Sequence, residues 1–578
     1  MPRCSWHSAT TTRAKESSMP KMTGAQCLAD MLAGYGVSHV FMVPAILRRT
    51  MAELERRTGI KRLHCHGEKS AAYMADGYAR ASGKPGICMA QQVGGLNLAA
   101  GLRDAWLAHA PVIAMTGGTL PRDRYRHVYQ EADNFAAFGP YVKWNATVDS
   151  AQRIPDMVRQ AFRVATSGRP GPVHLQFQGF EGQVDVEEAE LDPAAETQFA
   201  HVPPFRPQPE PARIAEALAR LARAERPVIV AGGGCRASGA GAALRAFAER
   251  MGIPVATSLN GRDSIPNTHP LSVGVVGSYS RASACDVVAE ADLVMFVGST
   301  AGSLVTHFWT LPRPGTAVIQ IDIEPSAIGR NYTDTLGIQA DARASVEALL
   351  AAAGAAAPKR RNSWLARVDE ICRDWRKANA HLRESDAVPI RPERIAGEIS
   401  GLLPEDCIVV VDTGHAGMWM GGMYDLAHDT QSYMRSAGHL GWAFPAGLGA
   451  KCAAPDRPVF VFTGDLGIWY HIAEIETAVR WNIRTVTLVN NNRSGNQSMA
   501  GYGRAYEGKA TDKSRELWVH NPVNFARIAE EIGALGLRVE KPSDLKPALA
   551  RAFAADRPAV IDVVTDIDAI APGPKWEY

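Results

Sequence analysis

Short runs of wholly apolar residues, each stopped abruptly and followed by a helical pattern, constrain this chain more than any other feature. Val40-Phe41-Met42-Val43 stops at Pro44, and Ile87-Cys88-Met89-Ala90 and Pro111–Met115 repeat the device. Between them, Ala25–Tyr35 has helical spacing and ends at Gly36, and His66–Ser82 reads as a helix closed by Gly83-Lys84-Pro85-Gly86. A strand that is apolar on both faces must be covered on both, so the pattern specifies parallel sheets wrapped by helices. It restarts at Pro227–Ala231 and again at Cys407–Asp412, and closes with Ala559–Val564. The segment HVPPFRPQPEP at 201–211 is too rich in proline for a regular element.

The chain therefore reads as α/β, with three doubly wound parallel-sheet domains over 22–190, 212–355 and 389–567. Residues 191–211 form one linker, and 356–388, with a charged helix to about Glu384, forms the second. Residues 1–21 are expected as a disordered extension and 568–578 as a C-terminal tail. The first twenty residues are rich in Ser, Thr and Arg, with Glu16 as their one acid, and lack the apolar stretch of a secretory signal. A transit peptide and a plain extension before Met19 or Met22 both fit them.

Charge narrows the partners. Lys plus Arg number 62 and Asp plus Glu 60 in 578 residues, so no polyelectrolyte field attracts nucleic acid. No apolar run is long enough to span a bilayer, and membrane association is not expected. Nine cysteines occur without a C-x-x-C pair, which argues against a zinc site and for buried, reduced thiols in a cytoplasmic protein.

The strongest chemical signal is Val459-Phe460-Val461-Phe462-Thr463, a buried strand running straight into Gly464-Asp465-Leu466-Gly467. A second buried strand, Thr485–Val489, ends in Asn490-Asn491-Asn492. An Asp and an Asn at the ends of neighbouring parallel strands lie together at the carboxyl edge, where open α/β sheets bind ligands. One carboxylate, one amide oxygen and a loop carbonyl are hard oxygen donors, suited to Mg²⁺ that also holds phosphate oxygens. The glycine-rich turn lets backbone N–H groups approach those phosphates. Either motif alone has an ordinary structural explanation, a strand-end Asp or a polar turn.

Together these residues resemble the signature of the thiamine-diphosphate-dependent enzymes similar to acetolactate synthase: Gly-Asp-Gly, an interval, then Asn-Asn. Here the interval from Asp465 to Asn491 is 26 positions. Aligning Gly495 with the family glycine implies Asp465, Asn491 and the Arg493 carbonyl as metal donors, with Gly464, Asp465, Leu466, Gly467 and Asn491 around the cofactor. Leu466 stands where the family has its third glycine, and Gly467 follows one place later. His66-Gly67-Glu68-Lys69-Ser70-Ala71-Ala72 through Gly77-Tyr78-Ala79-Arg80 looks like the family's glutamate helix. By that resemblance Glu68 hydrogen-bonds N1′ of the aminopyrimidine and thereby drives loss of the C2 proton of the thiazolium.

The segment Gly438-His439-Leu440-Gly441-Trp442 is similar to the family stretch that wedges an apolar residue beneath the cofactor, which implies Gly438 as a contact and Leu440 as the wedge. Asp412-Thr413-Gly414-His415-Ala416-Gly417-Met418 resembles the first diphosphate loop, with Gly414, His415 and Ala416 facing the diphosphate and Met418 the pyrimidine. Val128-Tyr129-Gln130-Glu131 resembles a segment whose Gln points at the reacting centre, and Gln130 is expected to hold the substrate carbonyl. Pro44 and Gly94, the latter in AQQVGGLN, match two further cofactor loops. The resemblance covers about Met22–Thr565. It implies a pyrimidine-binding, a Rossmann-like central and a diphosphate-binding domain. It also implies a homodimer or dimer of dimers, because Glu68 and the Asp465 site meet across subunits in that family.

The implied activity is that of a lyase or carboligase, dependent on thiamine diphosphate and Mg²⁺, acting on a 2-oxo acid or 2-hydroxy ketone. A 2-hydroxyacyl-CoA lyase or oxalyl-CoA-type decarboxylase is an alternative, with ADP in the central domain and the tail from Ile570 folding over an acyl-CoA substrate. A non-catalytic cofactor-binding protein is a third. The chain departs from acetolactate synthases at Pro44-Ala45-Ile46, where they have paired glycines, and within 493–502, where they have a Trp. It departs again at Gly298–Ser303, where they have an Arg-rich stretch that holds FAD. Gly232-Gly233-Gly234 and Asp322 leave FAD, ADP or no ligand open for the central domain, since a helix–strand packing turn explains the glycines equally well. Arg48 and Arg49 are candidates for a carboxylate or a CoA phosphate.

Overall fold

The protein was examined as a computed structural model, which describes residues 19–354, 361–509 and 511–573. The short apolar runs become the centres of three six-stranded sheets, and every neighbouring pair of strands in them is parallel. Across the first sheet the strands lie in the order Lys61–His64, His39–Met42, Gly86–Ala90, Val112–Gly118, Val173–Gln178, Asn145–Val148. The third sheet repeats that topology with Ser432–Arg435, Ile408–Val411, Val459–Gly464, Val486–Asn491, Ala559–Val564 and Leu535–Val539. The central sheet differs. Its first strand, Pro227–Ala231, lies third in the row, between Val255–Thr257 and Leu293–Val297.

These orders fix where ligands can sit. An open parallel sheet has a crevice at its carboxyl edge where successive connections leave in opposite directions. In the first and third sheets that point lies between the first and third strands in chain order. In the central sheet it lies between the first and fourth, next to Gly232–Gly234 and Gly298.

The expected boundaries shift at three places. Lys21–Thr23 pairs antiparallel with Glu188–Glu190, and the Pro20 carbonyl accepts from Leu191 N–H at 3.1 Å, so the first domain begins before residue 22. Residues 1–18 of the expected extension lie outside the described residues. The connection expected over 356–388 carries the helix Asn362–Arg383, which belongs to the central domain. Its Trp364, Val368, Ile371 and Cys372 follow helical spacing and enter that domain's core. Burying such side chains contributes roughly 1.5–3 kcal/mol each. Arg361, just before it, donates to the carbonyls of Leu221, Ala224 and Met251. In the C-terminal tail, Ala569 and Ala571 are buried in the third domain, and Asn496 Nδ2 donates to the carbonyls of Ile567 and Ala569. Residues 574–578 of the tail lie outside the described residues.

The first and third domains meet along two helices, Glu68–Ser82 and Ala443–Ala453. A methyl group on Gly77 would run into the carbonyl of Ala446, and one on Gly449 into the carbonyl of Met74. The two backbones therefore touch, and their small residues join the two domains in one core that contains Ala71, Ala75, Trp442 and Ala446.

Candidate active site

The third domain brings its two chemical motifs together at the carboxyl edge. Gly464 pairs with Asn490 across adjacent strands, which sets Asp465 beside the asparagine run. Asp465 is 2% exposed; its Oδ1 accepts from Leu466 N–H at 2.6 Å and its Oδ2 from Ser494 N–H at 3.1 Å. Asn491 donates through Nδ2 to Asp562 at 2.8 Å and to the Val523 carbonyl at 3.0 Å, while its Oδ1 is buried without a partner. Arg493 adopts φ 60°, a left-handed conformation that costs about 1–3 kcal/mol outside glycine. Its carbonyl accepts from His520 N–H at 3.0 Å.

Buried polar atoms are normally paired, and an unpaired one needs an explanation. Around this strand edge His415 Nδ1, Asn490 Oδ1, Asn491 Oδ1, Ser494 Oγ, Asn496 Oδ1 and His520 Nε2 are all buried without partners. His520 Nε2 lies 3.7 Å from Asp465 Oδ1, and that carboxylate raises the His520 pKa. Burial lowers the His415 pKa to about 4. No group of three or more His, Cys, Asp or Glu side chains is arranged for a metal among the described residues. An oxygen site with a single carboxylate, an amide and a carbonyl has a different composition; of its three donors Asn491 Oδ1 is unpartnered, while Asp465 and the Arg493 carbonyl keep lone pairs beyond the single N–H that each oxygen accepts.

The departure at Leu466 is accommodated. Its side chain leans against Gly495, where an added Cβ would come within 3.2 Å of Leu466 Cδ2. Gly467 takes the crowded place, since a Cβ there would sit 2.9 Å from Asp412 Oδ2. Asp412 is a site residue to which sequence reasoning gave no role, although an Asp ending an apolar strand was the signal that found Asp465. It is fully buried and accepts from Thr413 N–H at 2.8 Å, Thr463 Oγ1 at 2.9 Å and Gly441 N–H at 3.1 Å. Burial raises its pKa to about 6.

Gly414 takes φ 68° just before the helix His415–Gly422; Ala416 is buried and Met418 half-buried on that helix. Gly438 is exposed with open space beside it, and Leu440 is half-buried between Gly438 and Gly441. The edge thus combines Gly414–Met418, Gly438–Leu440, Gly464–Gly467 and Asn491–Arg493, drawn from four strand-end loops.

The first domain assembles a second group. Glu68 opens the helix Glu68–Ser82, whose preceding Gly67 supplies no side-chain cap. Its Oε2 accepts from Asn97 Nδ2 at 3.2 Å, and Gly94 approaches so closely that a Cβ would lie 2.5 Å from Glu68 Oε1. Glu68 lines a cavity of about 260 Å³ with His66, Ser70, Asn97 and Trp469–Glu474. Gln130 sits at φ 63° in a loop where Tyr125 and His127 are also left-handed, and its Oε1 is buried without a partner. Pro44 is exposed, and Ala45 at φ 84° and Leu47 at φ 45° adopt conformations favoured by glycine. At Ala45 the loop thus keeps a glycine-like backbone beside a side chain. Arg48 Nη2 is 2.9 Å from Glu181 Oε1, an exposed ion pair that leaves most of the guanidinium open to solvent.

A third site lies at the crevice of the central sheet. A cavity of about 440 Å³ is lined by Gly233, Gly234, Gly298, Ser299, Asp322 and, from the first domain, Arg169.

Comparison with known proteins agrees over most of the chain. Residues 22–137 match the thiamine pyrophosphate enzyme N-terminal TPP binding domain, 214–349 the central domain, and 412–563 the C-terminal TPP binding domain. The chain belongs to the thiamine pyrophosphate enzymes. A probable acetolactate synthase large subunit of Methanocaldococcus jannaschii is 31% identical over 94% of this chain and 92% of that protein. The glyoxylate carboligase of Escherichia coli O157:H7 is 30% identical over 95% and 93%, and the acetolactate synthase large subunit of Corynebacterium glutamicum 30% over 96% and 89%. Within the family, the protein is an acetolactate synthase-like enzyme of carbon–carbon bond chemistry that depends on thiamine diphosphate.

Proposed function

We propose that this enzyme uses thiamine diphosphate and Mg²⁺ to make or break the bond next to the carbonyl of a 2-oxo acid or 2-hydroxy ketone. The observation that carries this reading is the set of unpartnered buried polar atoms around Asp465 and Asn491. Asp465, Asn491 Oδ1 and the Arg493 carbonyl would hold the metal, and Gly414, His415, Ala416 and the Gly464–Gly467 turn would face the diphosphate. When bound, thiamine diphosphate supplies a carbon that adds to a carbonyl and a ring that accepts the electron pair released there. Leu440 supports it from below, with Gly438 and Met418 alongside. Glu68 holds a proton on its carboxyl oxygen for exchange with the pyrimidine, and Pro44 and Gly94 line that end. Gln130 donates through its side-chain amide to the substrate carbonyl.

Glu68 is bound to Asn97 and closed in by Gly94 within its own chain, while the Asp465 edge is built from other residues. By the family resemblance, each first domain serves its neighbour's cofactor in a homodimer. The central cavity suits an adenine nucleotide, as FAD or ADP, with Asp322 toward the ribose. Eight described cysteines are free and seven of them buried, which supports a reducing, cytoplasmic setting. No helix of the described residues is long and apolar enough to cross a membrane. The test is incubation with thiamine diphosphate, Mg²⁺ and a panel of 2-oxo acids and hydroxyacyl-CoAs, with products identified by mass. New carbon–carbon products from 2-oxo acids support the reading; turnover confined to acyl-CoA thioesters, or no turnover, defeats it.

A further inference from the structure

Leu440 sits in a segment with little stiffness of its own, between Gly438 and Gly441, the latter at φ 87°. Two buried carboxylates bracket it. Asp412 holds Gly441 N–H from the third domain itself. The other bracket comes from the first domain. Asp104, on the helix Gly95–Ala108 and completely buried, accepts from Ala437 N–H at 2.9 Å and His439 N–H at 3.2 Å, and from Ser436 Oγ at 2.9 Å. Ser436 Oγ in turn lies 2.7 Å from the His439 carbonyl and accepts from Gly438 N–H at 3.2 Å.

Asp104 is itself held. Arg80 Nη2 donates to Asp104 Oδ1 at 2.7 Å and to Asp76 Oδ2 at 2.6 Å, and Arg80 Nη1 donates to the Arg435 carbonyl at 2.8 Å. Trp442 Nε1 donates to Asp76 at 2.8 Å, and the Arg80 guanidinium lies 4.4 Å from the Trp442 ring centre. Tyr73 Oη is 2.7 Å from His439 Nδ1. Tyr73, Asp76 and Arg80 follow helical spacing, so a single face of the Glu68 helix grips residues 435–442. A packing contact between two domains needs only apolar surface. An ion pair so deep gains little stability over apolar substitutes, and what Asp76, Arg80 and Asp104 add to the joint is a set of directed contacts to residues 435–442.

We infer that Asp104, braced by Arg80 and assisted by Tyr73, is a positioning residue that sets the place of Leu440 under the cofactor. The inference rests on the proposed cofactor site. Its consequence is that loss of the Asp104 contacts lowers kcat through misplacement rather than through weaker binding, because reacting groups displaced by about 1 Å lose on the order of 100-fold in rate.

The test compares wild type with Asp104→Asn and the milder Tyr73→Phe. In Asp104→Asn an amide N–H faces the donors of Ala437 or His439. Tyr73→Phe removes one hydroxyl at nearly constant shape and leaves the fold intact. Hydrogen exchange of the amides of 437–441 is followed first in the cofactor-free protein, where both variants are expected to exchange faster than wild type. Kinetics with thiamine diphosphate, Mg²⁺ and the best 2-oxo acid substrate come second. A kcat about 10–100-fold lower in Asp104→Asn, with KM and cofactor affinity within about threefold of wild type, is the expected split. Unchanged exchange at 437–441 in both variants overturns the inference. So does a loss of kcat that merely tracks the fraction of unfolded protein, or that appears as KM alone. Failure of wild type to bind thiamine diphosphate would defeat the functional reading instead, and the exchange measurement separates the two.

Discussion

The first and third domains share one strand order and put it to opposite uses. The third concentrates oxygen and amide groups at the ends of its central strands, where Asp465, Asn491 and the glycine turns lie together. The first keeps the corresponding loops at Pro44 and Gly94 nearly free of charge and offers its carboxylate from the start of a helix, as Glu68. On the proposed reading, a duplicated topology supplies two kinds of edge: one for a highly charged group, and one for a proton beside an uncharged ring. Topology gives the location of a ligand and leaves the chemistry to loop residues.

Substitutions at the two edges should separate these tasks. The largest effect is expected from Glu68→Gln, which removes the proton-handling group while keeping its shape. Turnover falls about 10²–10⁴-fold, with metal-dependent cofactor binding, followed by titration calorimetry, largely intact. Loss of cofactor binding in that variant would erase the division of labour between the domains. Asp465→Ala should do the reverse. Apparent affinity for Mg²⁺ and thiamine diphosphate falls by more than the ~10–100-fold that loss of a supporting partner costs, and turnover recovers in part at saturating cofactor. Wild-type affinity would remove Asp465 from the metal site.

The joint between the two domains should respond to acid. His471 lies against Ser70 across it at 2.7 Å, and burial lowers its pKa to about 3. The neutral form is the one that folds, so its contribution is full above the unfolded value near 6.5 and is lost as pH falls toward the folded value. Between those limits stability drops by about 1.4 kcal/mol per pH unit from this group. Urea midpoints at pH 7.5 and 5 should therefore differ more for wild type than for His471→Gln; equal differences would contradict this assignment. The smallest effect belongs to Leu466→Gly. Its amide already serves Asp465, so cofactor affinity should stay within about threefold, with stability lower by about 0.5–1 kcal/mol from added backbone freedom. A tenfold gain in turnover would show that the side chain obstructs the site.

Much of this layout was legible in the residues, for a physical reason. A buried parallel strand has no polar face, so runs such as Val459–Thr463 announce themselves, and their stops mark the ligand edge. Edge strands were missed because one side meets solvent. Lys61–His64, Asn145–Val148 and Ser432–Arg435 are short and mixed in polarity. The helix Asn362–Arg383 was read as a connector because its charges outnumber the four residues that anchor it. Glu68, Asp465 and Asn491 were singled out because each lies in a local pattern. Asp104 and His520 were not, because their partners are far away in sequence: 333 positions for Ala437 and 55 for Asp465. No local pattern reports a contact of that kind.

The glycine track between Gly77 and Gly449 has a mechanical corollary. Two helices whose main chains touch have no lubricating layer of side chains, so neither can slide or roll without first separating. The first and third domains of a chain must then travel as one body. Admission and exit of small molecules would then fall to the surface segments, and the run through Tyr125, His127 and Gln130, with its exposed tyrosines, is one of those built on left-handed backbone.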